Sequence, residues 1–245
     1  MLAWGRDRSA DLAALADAAL PGENLSEDEI VACLFDDDDP TCVVGTADGS
    51  AAGAAVARRR GDELVGFVQL VVVMPDRRGR GLGREIVQEL QAWAFGEQGA
   101  RTMAVGGCAP FYLWPGVDVH MTPALCLFEA LGYQPGGAVL NMSFPARARP
   151  ATARGVRVRR VLDDGDAAAA VGFCAPRWPA WVAELRRAVD HGSCLVAVDG
   201  RTGAVVGFGC HSVNRLGWVG PMATDPTRRH QGIGSALLRA MATDM

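Results

Sequence analysis

The chain has 245 residues, 49% of them apolar and 21% charged, with a formal net charge of −4. This is apolar material for one large or two ordinary cores, and the charge gives no general reason to bind nucleic acid or an anionic membrane. All 24 basic residues are arginine and none is lysine, which excludes Schiff-base chemistry and a Walker-type phosphate site, because both need an ε-amine.

Taken in chain order, Ser9–Leu20 has apolar residues every three or four positions and reads as a helix with Ser9 near its cap, ended by Pro21-Gly22. Ser26-Glu-Asp-Glu29 is a capping-box pattern that starts a second helix to about Phe35, and the Asp36–Asp39 run after it reads as a solvated loop. Strands are predicted over Thr41–Thr46 and Gly53–Arg59, turned at Asp48-Gly49, and over Leu64–Met74. Pro75–Gly83 is a glycine-rich loop, Arg84–Gly96 a helix and Thr102–Gly106 a strand. After an irregular stretch, Ala124–Leu131 is predicted helical and closed by Gly132, with a strand over Val139–Phe144. Pro145–Gly155, rich in Pro, Ala and Arg, reads as a linker. The pattern then restarts, with strands over Val156–Val161, Cys194–Val198, Val205–His211 and Gly217–Thr224. Helices are predicted over Asp166–Phe173, over Trp181–Asp190 and from Ser235.

The seven cysteines (33, 42, 108, 126, 174, 194 and 210) are scattered, odd in number and without a C-x-x-C pair. They predict reduced thiols, no metal centre and a cytoplasmic location. The opening residues lack the apolar run of a secretory signal, and no apolar stretch approaches the ~20 residues of a membrane span.

Comparing the halves exposes a repeat. Pro75 and Pro226, Arg78 and Arg229, Gly81 and Gly232, and Gly83 and Gly234 are each separated by 151 positions. A repeat of that length is a duplicated domain rather than a solenoid unit. The shared pattern, strand then P-x-x-R-x-x-G-x-G then helix, is an anion cradle. Glycines turn the backbone so that N–H groups point inward, and the helix N-terminus adds a positive end. A phosphate or pyrophosphate is the expected ligand. The dinucleotide fingerprint G-x-G-x-x-G fits poorly, since Arg84 and Leu237 stand where its last glycine belongs.

Arg78-Gly-Arg-Gly-Leu-Gly83 and Arg229-His-Gln-Gly-Ile-Gly234 resemble the coenzyme A motif Q/R-x-x-G-x-G/A of the GNAT acyltransferases. Ala124-Leu-Cys-Leu-Phe-Glu-Ala-Leu-Gly-Tyr133 is similar to the late helix of that fold. The resemblance implies an α/β protein of two tandem GNAT-like domains, each a mixed central β-sheet flanked by helices. The boundaries expected are 1–147, a linker at 148–155, and 156–245, with the second copy C-terminally incomplete and the first lacking an opening strand.

The resemblance also implies acetyl-CoA as cosubstrate. Val71, Val72 and Val73 are expected to pair with pantetheine, and Arg78, Gly79, Arg80, Gly81, Leu82, Gly83 and Arg84 to hold the pyrophosphate. The matching residues of the second half are Met222, Ala223 and Thr224, and Arg229, His230, Gln231, Gly232, Ile233, Gly234 and Ser235. A backbone N–H near Val73 would face the oxyanion. Two features depart from the family pattern. Phe128 stands where many relatives carry a proton-donating Tyr, and Gly66-Phe-Val-Gln-Leu70 lacks the Glu that some place in the central strand. Tyr112, Asp118 and His120, polar groups in the irregular stretch, are the candidate acids and bases. The comparable candidates of the second half are Arg177–Trp181 and His211, its two Trp reading more as packing than as ligand contacts. The expected activity is N-acetylation of a small-molecule amine by direct transfer, with the first domain the more complete site. The other readings are a non-catalytic acyl-CoA-binding protein and, more weakly, an oxidoreductase. Neither nucleic acid nor membrane is an expected partner, and a homodimer is left open.

Overall fold

The computed structural model describes residues 1–36, 38–144 and 152–245, divided into two compact units, Met1–Val139 and Leu140–Met245. Most of the expected linker and Asp37 of the acidic run lie outside the described residues.

In the first unit a short strand β1 (Leu2–Ala3) pairs with β2 (Thr41–Gly45), so an opening strand is present after all. Two residues with no apolar alternation give no strand signal; the β2 edge supplies the partner. Helices α1 (Ser9–Ala19) and α2 (Glu27–Leu34) follow. At the start of α2 the capping box is formed: the Ser26 hydroxyl accepts from the Glu29 N–H, and the Glu29 carboxylate accepts from the Ser26 N–H. Strands β3 (Ala51–Arg60) and β4 (Glu63–Val73) complete an antiparallel meander with β2. Helix α3 (Leu82–Ala92) crosses to β5 (Thr102–Val105), which pairs parallel to β4 and gives the order β1-β2-β3-β4-β5. The apolar stripe of α3, Ile86, Val87 and Leu90, packs on Val44, Ala51, Ala55 and Val68. Helix α4 (Thr122–Ala130) adds Phe128 to the same core.

No strand forms over Val139–Phe144, contrary to expectation: the stretch is irregular and Val139, Leu140, Met142 and Phe144 are exposed. Apolar alternation becomes a strand only where a ladder partner takes up its N–H and C=O groups. Among the described residues none pairs there.

The second unit repeats the plan with β6 (Val156–Arg160), α5 (Asp164–Cys174), α6 (Val182–Asp190), β7 (Cys194–Asp199), β8 (Val205–His211), β9 (Val219–Thr224) and α7 (Ile233–Asp244). Its strands form an antiparallel sheet in sequence order. Ile233, Ala236, Leu237 and Met241 of α7 pack on Leu195, Ala197 and Val206. No helix of the described residues is long and apolar enough to cross a membrane.

Candidate active site

Both expected cradles form, and their backbones coincide. After β4, Met74 leads into a single 3-10 turn at Pro75–Arg77. Arg78 is then extended (φ −65°, ψ 161°), and Gly79 and Gly81 take φ +73° and +89°. After β9, Asp225 leads into the turn Pro226–Arg228, Arg229 is extended (φ −62°, ψ 160°), and His230 and Gly232 take φ +63° and +79°. The left-handed region is the reason for glycine at 81 and 232. His230 holds the conformation of Gly79 at a cost a side chain rarely accepts.

The first helical hydrogen bonds run from the Glu85 N–H to the Gly81 carbonyl (3.0 Å) and from the Ala236 N–H to the Gly232 carbonyl (2.9 Å). The amides of Leu82–Arg84 and Ile233–Ser235 therefore have no acceptor inside their helices and point out of positive helix ends. A β-carbon on Gly232 would meet nothing within 4 Å, and one on Gly81 only the Glu85 carboxylate at 3.9 Å. Among the described residues nothing else crowds either glycine.

The two arginines that begin the motif differ in use. Arg78 donates to the Val73 carbonyl (3.2 Å) and to the Ala19 carbonyl at the end of α1 (2.6 Å), tying the turn to strand and helix. In the second unit Arg228 does the tying, through Asp199 (2.7 Å) and Gln231 (2.9 Å), while Arg229 lines the cavity. The Arg228 guanidinium, with the amides of Thr202 and Arg201, holds the Asp199 carboxyl well below the usual carboxylate range.

The strand beside the first cradle has a free edge. β5 pairs with β4 only from Val65 to Val68, and the last bond is Gly106 N–H to the Val68 carbonyl (2.8 Å). From there the two strands part. Leu70–Val73 keep β3 on one side and, like Gln69, have no ladder partner on the other among the described residues. The gap is a cleft of about 130 Å³ lined by Leu70, Val71, Val105, Leu127 and Phe128, with Glu23, Gln69 and Asp118 as its ionisable or amide side chains. Glu23 accepts from the Trp114 indole N–H (2.7 Å), which fixes the α1–α2 connection against the irregular stretch.

The sequence-predicted acids and bases are not gathered in one place. Asp118 lines the cleft and bonds His120 Nδ1 at 2.8 Å, with His120 itself 89% exposed. The His120 backbone N–H and ring hold the Asp118 carboxyl below its ordinary value. Tyr112 packs on Val56, Phe67 and Cys108 and is not among the cleft-lining residues. Phe128 is buried against Tyr133, ring centroids 5.2 Å apart, and its ring faces the cleft.

One organiser left no trace in the sequence. Arg58, first of three consecutive arginines at the end of β3, is 2% exposed. It pairs with Asp39 (2.8 Å) and donates to the carbonyls of Cys108, Pro110 and Phe111, so it shapes the irregular stretch from beneath. A run of charges ordinarily reads as a solvated face.

In the second unit a larger cavity, about 470 Å³, lies over the cradle itself. It is lined by Met222–Thr224, Arg228–His230 and Gly232–Ser235, and walled by Trp178 and Trp181, stacked 5.8 Å apart at 12°. His211 is elsewhere: it sits at the far end of β8, buried, and bonds Asp244 of α7 (2.9 Å), which also takes Arg160. It fastens the helix to the sheet.

A strand with a free edge, a glycine turn and an unoccluded helix N-terminus, present beside a cleft in one unit and with its turn and helix repeated in the other, define an acyltransferase of tandem construction. Residues 10–133 match the model of the acetyltransferase (GNAT) family and residues 190–245 that of an acetyltransferase (GNAT) domain; the chain belongs to this family of N-acetyltransferases. No curated protein sequence matches the chain. Among solved structures it is similar to the GCN5-related glucosamine N-acetyltransferase region of a fungal multi-domain GH3 β-N-acetylglucosaminidase (16% identity, TM-score 0.75, 98% of this chain and 33% of that one). It is also similar to a GCN5-related N-acetyltransferase from Sphaerobacter thermophilus (22%, 0.67, 98% and 80%). A third is a tandem GNAT protein from the clavulanic acid biosynthesis pathway (16%, 0.65, 98% and 83%). At these identities the likeness is one of fold, and the chain spans about a third of the fungal protein.

Proposed function

We propose that the protein transfers the acetyl group of acetyl-CoA directly to the amine of a small molecule, in the cleft of the first unit. The observation that carries this is the parting of β4 from β5 beside an open helix N-terminus. The free edge of Leu70–Val73 suits the amide groups of pantetheine, as an added strand would pair. The amides of Gly79–Arg84 suit a pyrophosphate, and the absence of any close neighbour at Gly81 except a carboxylate tip leaves room for it. Acetyl-CoA supplies an activated acetyl thioester.

The chain's own part is to orient, to stabilise charge and to move a proton. The N–H of Val73 is the candidate oxyanion donor. Glu23 and Asp118 give the cleft a negative rim that draws in an ammonium group. Asp118, which His120 keeps ionised, is the candidate partner of the ammonium group, and the His120 ring beside it the candidate acceptor of the amine proton. Tyr112 is a candidate only if it moves out of its apolar cluster. Among the described residues none that lines the cleft is a Cys, Ser, Thr, Lys or His, which favours direct attack over an acyl-enzyme.

The second cradle, Met222–Thr224 with Arg229–Ser235, is proposed to bind a further acetyl-CoA under the tryptophan pair. A second reading, a non-catalytic acyl-CoA-binding protein, draws on Phe128, whose ring puts no acid where a sulfur would leave. Calorimetry with acetyl-CoA, followed by thiol release with a panel of primary amines including glucosamine, tests both. Binding with thiol release supports transfer, binding without release supports the second reading, and no binding refutes both.

A further inference from the structure

Beyond its first residue β4 carries one polar side chain, Gln69. The β3–β4 register jumps at this point: Ala54 faces Leu70 and Ala55 faces Val68, so Gln69 is the extra residue of a bulge. Bulges re-aim a side chain and end pairing, and here both happen together, since the Val68 carbonyl makes the last bond to the β5 side. Gln69 thus stands at the apex of the cleft and lines it. The side chain is only 4% exposed. Its amide nitrogen bonds the Cys108 thiol, and its Oε1 has no partner among the described residues. Burial pushes that thiol up, so it stays a thiol and accepts the amide N–H. A buried amide end without a partner is costly, and such groups mark places where something else binds.

We propose that Gln69 Oε1 is a substrate contact: it accepts a hydrogen bond from the attacking primary amine and aims the nitrogen lone pair at the acetyl carbonyl. The inference rests on the transferase reading of the first unit. In the step it serves, the N–C bond forms and the C–S bond breaks. Sulfur leaves with the electron pair, and the surplus proton on nitrogen passes to His120 or water. Gln69 does not titrate, so it orients the amine without taking its proton.

The test uses the full chain as wild type, Gln69→Leu, Gln69→Glu and Cys108→Ala. Acetyl-CoA binding is measured by calorimetry, and thiol release is measured with glucosamine, spermidine, L-lysine and water as acceptors from pH 6 to 10. Gln69→Leu is expected to keep the melting temperature and, within about twofold, the acetyl-CoA affinity, while kcat/KM for the amine falls about tenfold or more. Gln69→Glu is expected to recover part of that loss and to add an acidic limb to the pH profile. Cys108→Ala, which frees the held end of the amide, is expected to lose part of the same kcat/KM with acetyl-CoA affinity kept. If Gln69→Leu stays within twofold of wild type, or Gln69→Glu recovers none of the loss, the residue only packs and the inference is overturned alone. A wild type that binds acetyl-CoA and releases no thiol to any of these acceptors overturns the transferase reading and this inference with it.

Discussion

Gly53 sits on β3 opposite Val71, under the helix that presents the cradle. A β-carbon there would lie 2.3 Å from Ile86 Cγ2, 3.0 Å from the Leu70 carbonyl oxygen and 3.4 Å from Leu90 Cδ1. Carbon atoms need about 3.5–4.0 Å, so Gly53→Ala overlaps Ile86 by more than an ångström. Ile86 and Leu90 are wholly buried and Leu70 is held in the sheet, so α3 itself must lift. Overpacking of this kind costs about 1–3 kcal/mol. At roughly 3–6 °C per kcal/mol, a mid-range cost lowers the melting temperature by roughly 6–12 °C. The same displacement moves the amides of Leu82–Arg84 away from Val71–Val73, so acetyl-CoA affinity falls alongside. A double-mutant cycle with Ile86→Ala, which removes the clashing methyl, isolates the cause. That change alone costs about 2–5 kcal/mol, and the pair should cost at least ~1 kcal/mol less than the sum. An unchanged melting temperature in Gly53→Ala, or a strictly additive cycle, refutes the close approach as the constraint.

Gly81→Trp and Gly232→Trp, made separately, should each remove one of two acetyl-CoA sites seen by calorimetry, with thiol release lost only in Gly81→Trp; loss only with Gly232→Trp would place the chemistry in the second unit. Titrating acetyl-CoA into the protein should quench tryptophan fluorescence, and Trp178→Phe/Trp181→Phe should abolish most of that quench; an undiminished signal would remove the pair from the second site. Arg58→Met should cost at least ~2 kcal/mol in chemical denaturation by stranding buried carbonyls, and a cost near zero would show that the irregular stretch holds without it. The Arg159 bond lowers the Asp166 carboxyl from 3.8. For Asp244, burial pushes upward but the His211 and Arg160 bonds outweigh it. Both folded values are depressed, so this stability is present above pH 3.8 and is lost as pH falls through the folded values. Melting temperature should therefore drop below about pH 4, less steeply in Asp166→Asn, and identical slopes would refute the linkage.

The sequence by itself determined most of the elements and both glycine turns. Local physics sufficed there: the Ser26 box caps its own helix, and Gly81 and Gly232 answer to backbone angles that only a few residues tolerate. A 151-residue offset then implied a duplicated fold. What needed the tertiary structure was everything set by a partner distant in sequence. Leu2–Ala3 became a strand because β2 offers an edge, and Val139–Phe144 did not because no edge meets it among the described residues. Arg58 is buried because three carbonyls from the irregular stretch close over it, which a run of arginines cannot announce. Tyr112 reads as a reactive group in sequence and packs in an apolar cluster in the fold, while Gln69 reads as an ordinary strand residue and stands at the apex of the cleft. Side-chain chemistry is written in the sequence; which atoms it faces is decided by register, by the bulge at Gln69 and by where β4 leaves β5.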